Sequence, residues 1–256
     1  MMKPFLTVLV LSFLILHGCD STDPGMALSA AIDAVKALTL DDRDVNRLAS
    51  MVTQQSDQKQ KLASPDNPYS RRLQRLLKGY SEADGYAFDC KVYLSPEVNA
   101  FAMANGSIRF YSGLMDMMDD GELLFVVGHE MGHVVDKHIK KKIRLAYAGS
   151  AARKAIASQQ SGVGEIARSQ LGALAESLLN AQFSQQEERK ADDYGVMFLK
   201  KTGRDGKPAV SSLMKLASLG NDHSFLSSHP APEVRAIRLQ ENMLSSRQTK
   251  GAALPD

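Results

Sequence analysis

Val127-Gly128-His129-Glu130-Met131-Gly132-His133 closes an unbroken apolar run that begins at Leu123. Asp119 or Asp120 can cap a helix here, with Glu122 in its first turn, and the all-round apolar first half marks that helix as buried. Two histidines four apart on a helix are offset by about 40° in azimuth and about 6 Å in rise. Both imidazoles therefore reach one tetrahedral ion at about 2.0–2.1 Å. Glu130, between them, addresses a water at that ion rather than the ion itself. Gly128 and Gly132 each cost a helix roughly 1 kcal/mol relative to alanine, so glycines at both positions point to close packing against a neighbour. The pattern is short enough to arise by chance and needs support from the rest of the chain.

A catalytic zinc usually keeps three protein ligands and one open corner, so a further donor is sought downstream. Ser184-Gln185-Gln186-Glu187-Glu188-Arg189-Lys190-Ala191-Asp192-Asp193-Tyr194-Gly195 offers Glu188 and Asp192 one helical turn apart on a single face. One can ligate while the other accepts a hydrogen bond from a ligating imidazole and fixes its tautomer. Acidic residues at helical spacing more often decorate a surface; the upstream His-Glu-x-x-His and the scarcity of other donors favour the ligand reading. The chain has six histidines. His17 leaves with the targeting segment, and His223 lies in a polar loop. His138, five residues past His133 on another face and inside a basic run, reads as solvent-exposed. His229 sits in Ser227-Ser228-His229-Pro230-Ala231-Pro232-Glu233-Val234-Arg235, a rigid turn that can hold an imidazole near a substrate oxyanion or simply start a helix.

The 256 residues, 44% hydrophobic, suit one globular domain with a tether. Residues 1–18 read as a lipoprotein signal: Lys3 is the positive end and Phe5 to Leu16 the apolar stretch, too short to span a bilayer comfortably. Leu16-His17-Gly18-Cys19 resembles a bacterial lipobox with Cys19 as the lipidated residue; an ordinary secretory signal or an uncleaved anchor is the alternative. Asp20, directly after it, resembles a signal for inner-membrane retention. The expected layout is signal peptide 1–18, tether and N-terminal helix 19–40, catalytic domain 41–245 and flexible tail 246–256. With Cys19 lipidated, Cys90 has no intrachain partner and reads as a buried thiol. The mature chain carries 30 basic against 29 acidic side chains, which offers nucleic acid no general attraction. The run Lys137-His138-Ile139-Lys140-Lys141-Lys142-Ile143-Arg144 reads as a solvated helix C-terminus.

Helices are expected over Met26–Leu38, from a cap at Leu40-Asp41-Asp42 to about Gln58, through Leu73, Leu76 and Leu77, and at about Ser184–Lys201, Lys207–Leu219 and Pro232–Leu244. Residues 145–180 read as helical, interrupted at Gly162 and Gly164, and as a mobile flap. Lys91-Val92-Tyr93-Leu94 reads as a strand. Asn99 to Ala104 and Ser107 to Tyr111 flank Asn105-Gly106, which suits a hairpin with a type I′ turn, and Gly113 closes the second strand.

Four separated motifs together resemble the HtpX-like zinc metallopeptidases, which include the CAAX prenyl proteases. They are Asn99-Ala100-Phe101 with its hairpin and Gly113-Leu114; Gly128 to His133; Glu188-x-x-Ala191-Asp192-x-x-Gly195; and Ser228-His229-Pro230 with Arg235. The resemblance runs from about Leu38 to Leu239, and a lipobox in place of transmembrane helices points to its lipid-anchored branch. It implies an α+β fold, a mostly helical compact gluzincin with a small antiparallel sheet at the cleft. It implies one Zn²⁺ per chain on His129, His133 and Glu188, with Glu130 as general base and Asp192 supporting a zinc histidine. His229 would be a transition-state donor or a fourth ligand in a latent state, and Arg235 would anchor that turn or the substrate side. Gln185 departs from the arginine that many relatives carry there. The implied activity is a membrane-tethered periplasmic endopeptidase, with Asn99, Ala100, Phe101 and Ala102 pairing an unfolded or extended polypeptide of the envelope. An envelope chaperone or assembly factor with a structural or silenced metal is the alternative.

Overall fold

The computed structural model describes residues 40–146, 175–220 and 224–251, with 246–251 as backbone only. The expected signal, Cys19, Asp20, the helix over Met26–Leu38, most of the 145–180 flap and His223 lie outside the described residues.

Helix α1 (Asp42–Lys59) begins at Asp41, whose side chain accepts from the Asp44 N–H. Helix α2 (Pro68–Leu76) is capped by Asn67 and carries Pro68 in its first turn, where the missing N–H would have no partner anyway. Five strands follow: β1 (Glu82–Ala83), β2 (Tyr86–Ala87), β3 (Asp89–Tyr93), β4 (Ala100–Ala102) and β5 (Ser107–Tyr111). Then come α3 (Ser112–Met117), α4 (Asp120–Val135), α5 (residues 138–146), α6 (residues 175–180), α7 (Gln185–Lys201), α8 (Lys207–Ser218), α9 (Ser224–Ser228) and α10 (Pro232–Gly251). The mostly helical fold with a small sheet matches the expectation. Helix α10 runs on to Gly251, past the end expected near Leu244 and into the segment expected as a tail. Among the described residues no helix is long and apolar enough to cross a membrane.

The main sheet has the order β3-β5-β4. The expected hairpin is antiparallel, with Ala100 opposite Phe110 and Ala102 opposite Ile108. Strand β3 joins the other side of β5 in parallel, Cys90 opposite Ile108, which leaves β4 at the edge. The turn is not type I′. Gly106 has φ 85° while Asn105 is not among the residues with positive φ. Met103 N–H bonds Ser107 O at 2.8 Å and Gly106 N–H bonds Met103 O at 3.0 Å. That is a three-residue loop ending in a left-handed glycine. A Cβ on Gly106 would also stand 2.2 Å from Ala87 O, so strand β2 packs where a side chain would be. Gly113 lies in α3 rather than ending β5.

The two site-bearing helices, α4 and α7, pack at glycines. A Cβ on Gly128 would stand 2.9 Å from Gly195 Cα, and one on Gly132 3.0 Å from Ala191 Cα. This is the close approach that the two glycines implied. It sets one helix backbone against the other and faces Glu188 and Asp192 toward the histidines. Helix α8 backs α4 and in turn carries α10.

Candidate metal centre

Asp119 caps α4 in a reciprocal box with Glu122, and Ser184 caps α7 in the same way with Glu187. These caps fix where each helix begins, and so which side chains share the facing surfaces. His129, Glu130 and His133 are each at most 1% exposed, and Glu188, Asp192 and His229 are equally buried.

Four donors converge. His129 Nε2 lies 3.1 Å from His133 Nε2 and 3.2 Å from His229 Nδ1. Glu188 Oε1 lies 3.4 Å from His133 Nε2 and 3.0 Å from His229 Nδ1. Glu188 Oε2 is 3.6 Å from His129 Nε2. A tetrahedron with spokes of about 2.0–2.1 Å has edges of about 3.3–3.4 Å, so these separations fit one ion at the centre. Unprotonated imidazole nitrogens facing one another at such distances repel unless a positive charge sits between them. The donor set, nitrogen plus one carboxylate, suits zinc. His129, His133, Glu188 and His229 could therefore hold a metal.

Asp192 stands beside this group rather than in it. His129 Nδ1–H donates to Asp192 Oδ1 at 3.0 Å, which turns Nε2 toward the other donors. Arg235 holds the same carboxylate through Nε at 3.0 Å and Nη2 at 2.6 Å, and its Nη1 contacts Glu188 Oε2. Burial acts to raise the Asp192 carboxyl, but Arg235 and the bond from His129 overcome it and hold it at about 2. Glu188 is likewise held well below the usual carboxylate range, because Arg235 and His229 outweigh its burial. His133 is pushed well below its usual value, first by burial. Both carboxylates are thus anionic and His133 is neutral, the protonation states a cation requires.

Glu130 Oε1 is buried and has no hydrogen-bond partner among the described residues; His229 Nε2 is 3.5 Å away. A cavity of about 20 Å³, lined in part by Ala102, Met103, Glu130, Lys142, Phe183 and His229, adjoins it. That is room for one water and no more. Of the expected substrate strand, Ala100, Phe101 and Ala102 form the buried edge strand β4, whose Ala102 reaches this cavity, while Asn99 lies just before it and its carbonyl accepts from Tyr111 N–H at 3.0 Å.

Three residues near the centre escaped the sequence reading. His138 is 6% exposed rather than solvated, with its Nδ1 3.1 Å from His133 Nδ1. Lys137 adopts φ 60°, which breaks the helix between α4 and α5, so counting five residues along a continuous helix misplaces His138. The basic run is only partly solvated: Lys140 is buried against Asp42 at 2.8 Å, and Lys142 Nζ lies 3.8 Å from the centre of the Phe183 ring. Burial brings Lys142 down to about 8. Phe183 itself stacks on His133 at 3.7 Å, a contact that no local pattern announces. Cys90 is half-buried, and burial pushes its thiol up to about 12, so it is not a reactive thiolate.

A buried His-Glu-x-x-His helix facing a second helix with a glutamate donor defines a metalloprotease. Residues 65–243 match peptidase family M48, and the chain belongs to that family. It is 41% identical over 232 residues to Metalloprotease LoiP of Escherichia coli (strain K12), covering 90% of this chain and 92% of that protein. It is 38% identical over 248 residues to Metalloprotease YcaL of the same organism, covering 94% and 98%. The Beta-barrel assembly-enhancing protease of Escherichia coli (strain K12) is 29% identical over 153 residues, 54% of this chain and 31% of that protein. These likenesses bear out the resemblance carried by the separated motifs.

Proposed function

We propose that this metalloprotease is a zinc endopeptidase of the bacterial envelope, tethered through lipid on Cys19, that cleaves unfolded or extended polypeptide. The observation that carries the metal reading is the tetrahedral spacing of His129, His133, Glu188 and His229. These residues would hold a divalent ion, which would supply Lewis-acid polarisation of a carbonyl and a lowered pKa, about 7, for water. Glu130, with one carboxylate oxygen unpartnered beside a water-sized cavity, takes the proton of the attacking water and delivers it to the leaving amine. Asp192 and Arg235 hold His129 and Glu188 in place throughout. The edge of β4 lies alongside, so an extended peptide adds to it as a further strand and backbone hydrogen bonds align the scissile bond. Reading by backbone favours unfolded chains over particular side chains. The Beta-barrel assembly-enhancing protease is tied by its name to β-barrel assembly, which supports an envelope setting for this chain.

His229 supports a resting form of the same enzyme. Its Nδ1 would be a fourth donor that closes a site held by His129, His133 and Glu188, and its Nε2 faces Glu130, so a substrate carbonyl would enter only once that imidazole moves away. The second reading, an envelope chaperone with a structural metal, draws on this same closed corner. Cleavage of an unfolded protein such as casein by wild type and by Glu130→Gln decides between them. The enzyme reading expects chelator-sensitive cleavage that falls about 10²–10⁴-fold in the variant while zinc stays bound. Chelator-insensitive holdase activity without cleavage in either protein would establish the chaperone instead.

A further inference from the structure

His138 is the buried imidazole that the mechanism above leaves unused. It opens α5, just after the left-handed Lys137 at the end of α4, and its ring lies nearly edge-on to His133, with centroids 5.1 Å apart at 70°. Phe183 covers the face of His133 at 3.7 Å, so that ring is stacked on one side and met at its Nδ1 edge by His138.

The protonation pattern follows from the donor set. For His133 Nε2 to present a lone pair to an ion beside Glu188, the single proton of the neutral ring must sit on Nδ1. A buried N–H there needs an acceptor. Among the described residues the partner of that nitrogen is His138 Nδ1, at 3.1 Å. His129 has the equivalent support from Asp192 at 3.0 Å, but from a carboxylate. We infer that His138 is a positioning residue of the metal centre: its Nδ1 accepts the Nδ1 proton of His133 and so fixes the tautomer and ring angle that aim Nε2 at the metal. The asymmetry has a physical reason. Glu188 and Asp192 already place two anions against Arg235, and a further buried carboxylate at His133 would lack a counter-charge. A neutral imidazole orients the ligand without adding charge. This inference rests on the reading of His133 as a ligand.

The test compares His138→Asn with His138→Leu in the full chain, by zinc affinity in competition with a chromogenic chelator. Asparagine keeps an acceptor near the position of Nδ1, whereas leucine keeps the shape and lacks it. The expected result is a loss of about 10–100-fold in zinc affinity for His138→Leu and a change of at most about threefold for His138→Asn. Equal affinities in the two variants would overturn the inference, because a purely packing role moves both alike. A measurement on the unaltered protein covers the case in which leucine fails to fold. In zinc-loaded, ¹⁵N-labelled wild type, His133 should show a proton on Nδ1 protected from exchange, and a proton on Nε2 or a freely exchanging Nδ1–H would overturn it. His133→Ala separates the two failures. Wild-type zinc affinity in that variant removes His133 as a ligand and takes this inference with it, whereas loss there beside an unaffected His138→Leu sinks the inference alone.

Discussion

Gly128 and Gly195 meet backbone to backbone: a Cβ on the first would lie 2.9 Å from the Cα of the second and 2.7 Å from Phe198 Cβ. The metal centre depends on this contact, since His129 and Glu188 approach only as closely as α4 and α7 do. Neither Gly195 Cα nor Phe198 Cβ can swing aside as a flexible side-chain end would. Gly128→Ala is therefore expected to destabilise the fold by about 1–3 kcal/mol, although alanine is the better helix former. Thermal unfolding reads this as a fall of about 2–4 °C per kcal/mol for a chain of this size. An unchanged or higher melting temperature would show that the helices have slack at this position.

Arg235 stands between two buried anions, Asp192 and Glu188, and is itself 5% exposed. Replacing it with methionine leaves both carboxylates buried without their cation. Breaking a buried ion pair from one side costs about 3–5 kcal/mol, and that is the loss expected for Arg235→Met in denaturant unfolding of metal-free protein. Arg235→Lys should recover only part of it, because an ammonium cannot hold Asp192 through two parallel bonds. Equal stabilities of wild type and Arg235→Met would mean that the pair is not formed in solution.

Lys142 gives a pH signature. Burial lowers it to about 8 in the folded chain, against an ordinary value near 10.4 when unfolded. Between those values the unfolded state binds the proton and the folded state does not, so this group makes stability rise with pH across that window. Below about pH 8 its desolvation cost is fully present. Lys142→Met is thus expected to be more stable than wild type at pH 7 by roughly 1–2 kcal/mol, discounted for its partial exposure. The gap should close toward pH 10. A gap that is constant or widens between pH 7 and 10 would contradict the assignment.

The parts of this protein that obey a local rule were legible in its sequence. Asp41 and Asp119 each cap the helix they announce, and the helix expected from about Ser184 begins there, because capping depends on residues at most three apart. The spacing of His129 and His133, and of Glu188 and Asp192, is fixed by helical geometry, and Gly128 and Gly132, each directly before a histidine, forecast a close neighbour. What stays hidden depends on breaks in the backbone pattern or on distant packing. His138 was misplaced because Lys137 leaves the helix in a left-handed conformation. The Asn105-Gly106 turn is a three-residue loop in which only Gly106 takes a positive φ, because the strand pairing closes at Met103 and Ser107, and the dipeptide alone does not encode that loop length. Phe183 reaches His133 from fifty residues away in sequence, and no local periodicity encodes that. The spacing of Glu188 and Asp192 suggests a division of labour between them; the distances to His129, and the grip of Arg235 on both, support the roles proposed here.

If Glu188, from α7, completes a metal site with the two histidines of α4, the metal should be lost with its carboxylate. Zinc content of purified wild type and Glu188→Ala, measured side by side by elemental analysis, tests it most directly. Close to one zinc per chain is expected in wild type and almost none in the variant, with helical content retained in both. A full equivalent of zinc in Glu188→Ala would contradict it.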